Sequence, residues 1–224
     1  MKTYRLLFPA ALLAALCNTV VAQTTMTTNV WLGHFVSRVP GDSSRGYHLV
    51  EAVVTRGRCI LLDAAYLDFG RGGEYREWFA GAGCNSVVSK SLTVSHELIF
   101  AQSSGSKGGG ATYLWLWTGI FYNLTPRLGG DIVFFPYLPL DKAGKRQFVI
   151  ERAKLEYRLH PAIKLGAGYG AYQISGEEWQ HKPFITVTLA PFAGKFGSME
   201  FWLQKMPSGA QVQTRYQIMF KEKK

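Results

Sequence analysis

Apolar residues recur at every second position along most of this chain, and no stretch sustains a 3.6-residue apolar period, so the pattern predicts strands rather than helices. Segments of alternation separated by turn residues fall near residues 30–39, 46–55, 58–69, 74–84, 91–102, 111–123, 128–138, 147–160, 163–174, 183–191, 197–206 and 210–220. That is about twelve strands, with ten the alternative count. The best-defined strands have two unlike faces. In the eighth, Val149, Ala153, Leu155, Tyr157 and Leu159 oppose Arg152, Lys154, Glu156 and Arg158. The ninth sets Ile163, Leu165, Ala167 and Tyr169 against Lys164, Gly166, Gly168 and Gly170, and the last sets Val212, Tyr216, Ile218 and Phe220 against Gln211, Gln213, Arg215 and Gln217. A soluble sandwich shares this period, since it too buries one face and wets the other. A membrane barrel turns the apolar face to lipid and the polar face to its lumen.

The connections lean toward the barrel. Those after even-numbered strands are mostly tight, such as Thr55-Arg56-Gly57-Arg58, the turn Asn123 to Arg127, and Leu159-His160-Pro161-Ala162. Those after odd-numbered strands are longer or more polar: Val39 to Gly46, Ser103 to Gly110, Asp141 to Arg146 and Ser175 to Lys182. Short turns on one side and longer loops on the other are the periplasmic and extracellular asymmetry of outer-membrane barrels. The whole segment after the leader, through its alternating strands, the turns YNLTPRLGG and YRLHPAIKLGAGYG and the ending Tyr216-x-Ile218-x-Phe220, resembles a bacterial outer-membrane β-barrel protein at the level of the class. The resemblance implies an all-β fold, a single antiparallel transmembrane barrel, outer-membrane lipids and lipopolysaccharide as surroundings, and insertion by the barrel-assembly machinery. Lys221-Glu222-Lys223-Lys224 after the terminal aromatic departs from that pattern.

Met1 to Ala22 reads as a secretory signal peptide, with Lys2 and Arg5 ahead of an apolar run from Leu6 to Leu16 and a small-residue site at Ala22. Residues 23–224 then form one domain. The formal charge of +10 falls to +8 once Lys2 and Arg5 are removed, enough to bias encounters toward anions. Lipopolysaccharide, anionic phospholipid and an acidic solute are the candidate partners; nucleic acid is not, because secretion removes the opportunity. The solute-selecting candidates are Arg152, Lys154, Glu156, Arg158, Lys164 and Arg215, with Asp131 and Glu200 interspersed. The competing reading is a paired charge network that fills a closed barrel. The inward glycines Gly166, Gly168 and Gly170 either open the lumen or receive a neighbouring aromatic.

Cys59 and Cys84 remain after leader removal. A hairpin turning about Arg71 and Gly72, within Phe69 to Gly73, opposes them directly at its periplasmic end, which predicts a disulfide; two separate thiols are the alternative. No CxxC or HxxxH spacing offers a metal site, and no cofactor is expected. Ser95-His96-Glu97 invites a lipid-hydrolase reading, but adjacent strand residues point to opposite faces, so Ser95 and His96 do not form a nucleophile–base pair. The sixth strand, with Trp115, Trp117, Phe121 and Tyr122, is apolar on both faces and cannot be oriented from its pattern. The expectation is a monomeric barrel that passes small, anionic solutes, against a closed structural or surface-binding barrel.

Overall fold

The structure is a computed structural model, and it describes residues 28–39, 42–69, 74–106, 109–191, 197–206 and 209–221. The leader, the ends of the KEKK tail, most of the FGRGG turn and part of the glycine-rich segment lie outside the described residues. Twelve strands form: β1 (Thr28–Val39), β2 (Asp42–Arg56), β3 (Cys59–Phe69), β4 (Tyr75–Ser89), β5 (Leu92–Ser104), β6 (Thr112–Asn123), β7 (Leu128–Pro139), β8 (Gln147–His160), β9 (Ile163–Ile174), β10 (Gln180–Leu189), β11 (Gly197–Met206) and β12 (Gly209–Lys221). Each pairs antiparallel with its sequence neighbours, and β1 pairs with β12 from Asn29↔Lys221 to Arg38↔Val212, so the sheet closes into a barrel without edges. No helix among the described residues is long and apolar enough to cross a membrane, a statement that does not bear on strands.

The outer wall is apolar. Val50, Leu116, Leu155, Ile185, Leu203 and Ile218 all stand exposed on it, a surface that water would penalise and lipid would not. Aromatics gather toward both ends of the wall. At the end carrying the 69–75 and 140–146 connections, Trp78 packs on Phe100 and Phe148 lies between Phe134 and Trp179. At the other end stand Tyr157 and Phe220. Such girdles match the two interfaces of a bilayer.

Turn lengths are less asymmetric than the sequence predicts. Gly57, at φ 61, closes the two-residue β2–β3 turn, and β8–β9 turns through Pro161 and Ala162. Yet the expected loop Val39 to Gly46 is strand from Asp42, and β10 starts at Gln180 within the expected Ser175 to Lys182 loop. The polar residues there satisfy the ladder as well as a loop would, because only the backbone pairs. Conversely, the connection from Leu189 to Gly197 is long on the tight-turn side.

One strand changes phase. The register shifts at Glu151 and Arg152 against both neighbours of β8, a β-bulge that points both side chains inward. Val149, expected outward, therefore packs with the inward aromatic cluster, while Phe148 faces out.

Candidate functional site

The lumen is built from the inward positions of all twelve strands. On β2 these are Tyr47, Leu49, Glu51, Val53 and Thr55, and all five border one cavity of about 680 Å³. Tyr47 to Thr55 is about 26 Å of strand, or about 20 Å of height at the ~40° tilt of such barrels. The open space therefore runs along most of the barrel wall. A second cavity of about 220 Å³ lies at the tight-turn end, bordered by Arg127, Arg158 and Lys164, with Asp131 and Glu156 behind them.

The β8 bulge sets the charged centre. Lys154 is 3 % exposed and is ion-paired to Glu200 at 3.0 Å, Glu156 at 3.4 Å and Asp131 at 3.5 Å. Arg152 bonds Asp131 and, at 2.6 Å, Glu151. Arg215 reaches the same Glu151 oxygen at 2.7 Å from across the barrel. Thr188 donates to Glu156, whose other oxygen lies 3.9 Å from Lys164. Arg152, Lys154, Glu156 and Arg215 thus form one inward network, whereas Arg158 and Lys164 open onto the smaller cavity. Asp131, Glu151 and Glu200 match these cations; strict alternation with Arg152 and Lys154 puts Glu151 on the outer face, and the bulge is what turns it inward.

Aromatic packing holds this network. Arg215 lies 3.7 Å over the Trp202 ring, which stacks on Phe184 at 4.1 Å and 3°. Phe184 in turn occupies the space left by Gly168, where a Cβ would meet Phe184 Cζ at 2.3 Å. Of the two roles open to the inward glycines, receiving an aromatic is the one Gly168 has. Beside Gly166 sits Glu156 Cγ, at 2.7 Å from where a Cβ would be.

Around the barrel, β6 is now oriented: Tyr113, Trp115 and Trp117 point inward, and Leu114, Leu116 and Thr118 outward. Trp115 is packed among Phe79, Phe135 and Tyr137 at 4.3 to 5.1 Å. This cluster narrows the lumen by ordinary packing, while Trp31 and Phe121 border the open cavity.

Carboxylates line the opposite wall. Glu51, Asp63 and Glu97 all border the main cavity, and Glu77 lies buried nearby with Tyr75 as a donor. Glu51, Asp63 and Glu77 carried no expectation from the sequence and Glu97 only as part of Ser95-His96-Glu97; their inward parity in β2, β3, β4 and β5 was the signal that could have found them. Ser95 faces inward with Glu97, and His96 faces out and bonds Thr118 at 3.2 Å, so the serine and histidine are on opposite sides of the wall.

Cys59 and Cys84 are direct partners across β3 and β4, and both are thiols here. The upper hairpin pairs Phe69 with Tyr75 and Asp63 with Gly81, a register that would set Cys59 against Asn85. A bulge between Ile60 and Asp63 shifts it by one residue and brings Cys84 opposite instead. Asn85 N–H donates to Arg58 O at 2.7 Å, so the cysteines occupy the adjacent non-hydrogen-bonded pair, where side chains approach most closely.

No family model matches the sequence, nor does any curated protein sequence. Solved structures do match in fold. The chain is similar to the NanC porin, with a TM-score of 0.59 at 9% identity over 87% of this chain and 100% of that one. It is also similar to the KdgM porin in complex with disordered oligogalacturonate, with a TM-score of 0.58 at 7% identity over 87% of this chain and 99% of that one. The closed twelve-stranded barrel of this chain shares its fold with these bacterial outer-membrane porins.

Proposed function

We propose that this protein is a passive outer-membrane pore for small carboxylate-bearing solutes. The observation that carries the reading is the cavity bordered by every inward residue of β2 from Tyr47 to Thr55. A barrel packed shut would interrupt that row. Arg152 and Arg215 border the same cavity and lower the barrier for a carboxylate, while their own partners keep them fixed in place. Arg158 and Lys164, at the smaller cavity, gather anions at that mouth. The fold of porins, one of which holds oligogalacturonate, supports the same reading. Cleavage of the leader after Ala22, assembly by the outer-membrane insertion machinery and lipopolysaccharide around the upper rim belong to it.

The Lys154 network and the Trp115 cluster favour a second reading, a closed barrel in which the charges serve stability alone. Single-channel recording of residues 23–224 in a planar bilayer separates the two. Discrete current steps are expected of the pore; a folded, inserted barrel that carries no current would establish the closed one.

A further inference from the structure

The two sides of the main cavity differ in kind. Across β2, β3 and β5, Glu51, Asp63 and Glu97 converge, with a glycine at the inward position beside Glu97 and another beside Glu51. Gly83 lies in β4 directly opposite Glu97, and a Cβ on it would meet Glu97 Cγ at 2.8 Å. Glu51 leans over Gly33 of β1, its Oε2 3.4 Å from where a Cβ would stand. Asp63 and Glu97 are 5 % and 7 % exposed and lie within hydrogen-bonding reach of each other, and neither Asp63 Oδ1 nor Glu97 Oε2 receives a hydrogen bond from an amide, hydroxyl or cationic side chain among the described residues. None of the three carboxylates makes an ion pair with a lysine or arginine among the described residues, in contrast to every acid on the β8 side.

Facing them are two guanidinium groups. Arg215 stacks on Trp202 and stands 5.2 Å from the ring centroid of Phe35, whose Cζ is also 3.1 Å from the Cβ position of Gly33. The Phe35 ring thus lies between the Arg215 guanidinium and the Glu51 carboxylate, and Glu51 is within electrostatic reach of both Arg152 and Arg215. Arg215 Nε has no acceptor among the described residues.

We infer that the cavity selects dipolar solutes, small molecules that carry an ammonium group at one end and a carboxylate at the other. This deepens the pore reading and rests on it. A simple anion attracted by Arg152 and Arg215 finds an acceptor-rich carboxyl cluster without a counter-cation across the same space, and a simple cation held by that cluster meets the two guanidinium groups. A dipolar solute lying across the cavity offers its ammonium hydrogens to Asp63 and Glu97 and its carboxylate to the arginines. It also carries no net charge along a passage surrounded by a low-dielectric wall.

The test measures uptake of radiolabelled β-alanine, gluconate, choline and arabinose into proteoliposomes holding the mature chain. β-Alanine is expected to enter several-fold faster than gluconate or choline. In a Glu51→Gln, Glu97→Gln double variant that order reverses between β-alanine and gluconate. A second readout needs no variant: β-alanine added to wild type should reduce the potassium chloride current more than equal acetate or ethylammonium. Arabinose uptake with gluconate ahead of β-alanine, or equal block by all three ions, overturns this inference alone. Absence of uptake for all four solutes overturns the pore reading and this inference with it.

Discussion

Gly168 and Lys154 show how single positions decide what the lumen wall can do. A Cβ at Gly168 would stand 2.3 Å from Phe184 Cζ, and Phe184 is held in turn by its stack on Trp202. Gly168→Ala should therefore cost about 1–3 kcal/mol through overpacking, read as a lowered urea midpoint, and Phe184→Leu in the same chain should restore part of it. If the midpoint does not move, the ring is not packed as described. Lys154→Met strands Asp131, Glu156 and Glu200 around a neutral side chain, and about 3–5 kcal/mol should be lost. Arg158→Gln, at the exposed mouth, should leave the midpoint alone and change the salt dependence of the current instead. Sequence alternation identified Lys154 and Arg215 as inward because β8 below its bulge and β12 are regular. It misplaced Val149 for a local reason: a bulge adds one residue to the strand and inverts the parity of everything before it. The inward parity of Glu51, Asp63 and Glu97 was readable in their strands, but a net charge of +10 points first to the cations, and Glu97 stood out only within Ser95-His96-Glu97. Glycines beside Glu51 and Glu97 leave room for those carboxylates, and spacing along one strand does not reveal a neighbour across it.

At the scale of the hairpin, the pairing of Cys59 with Cys84 was legible by symmetry, while the bulge that corrects the register was not. The non-hydrogen-bonded position and the oxidising compartment together favour a bridge. Protein isolated from the envelope without reductant should resist thiol alkylation, and its reduction should cost about 2–4 kcal/mol. Complete alkylation of both residues before reduction would refute the bridge. The β7–β8 connection makes a pH-dependent element. Asp141 accepts the N–H groups of Thr112 at 2.7 Å, Ala143 at 2.9 Å and Gly144 at 3.2 Å. Hydrogen bonding from the Thr112 side chain, then from these backbone groups, holds its carboxyl below the usual aspartate range. A carboxyl so depressed contributes stability above its ordinary value, lost only as pH falls through the lower one. The amide shifts of Ala143 and Gly144 should accordingly hold steady down to about pH 4 and move only below it. A midpoint at or above the ordinary aspartate value would contradict the arrangement.

The molecule as a whole is distinguished from a soluble sandwich by which face is exposed. Period-two alternation could not tell them apart, since each buries one face; closure of β1 on β12 does, because it puts the polar face inside and leaves the apolar face outside. Ile185 is 60 % exposed on that outer wall, near the middle of β10, while Gln217 borders the cavity from β12. The two positions take the same substitution with opposite consequences. Ile185→Arg sets a charge against hydrocarbon and should cost about 2–4 kcal/mol if lipid lies there, seen as a loss of folded barrel in refolding titrations with vesicles. Gln217→Arg adds a cation to a wet wall and should fold normally, shifting the reversal potential toward anions under a salt gradient. In detergent-free water a sandwich would reverse the ranking, tolerating arginine at Ile185 and rejecting it at an interior Gln217. The paired measurement therefore tests the inside-out arrangement itself, and it does so independently of which solute passes.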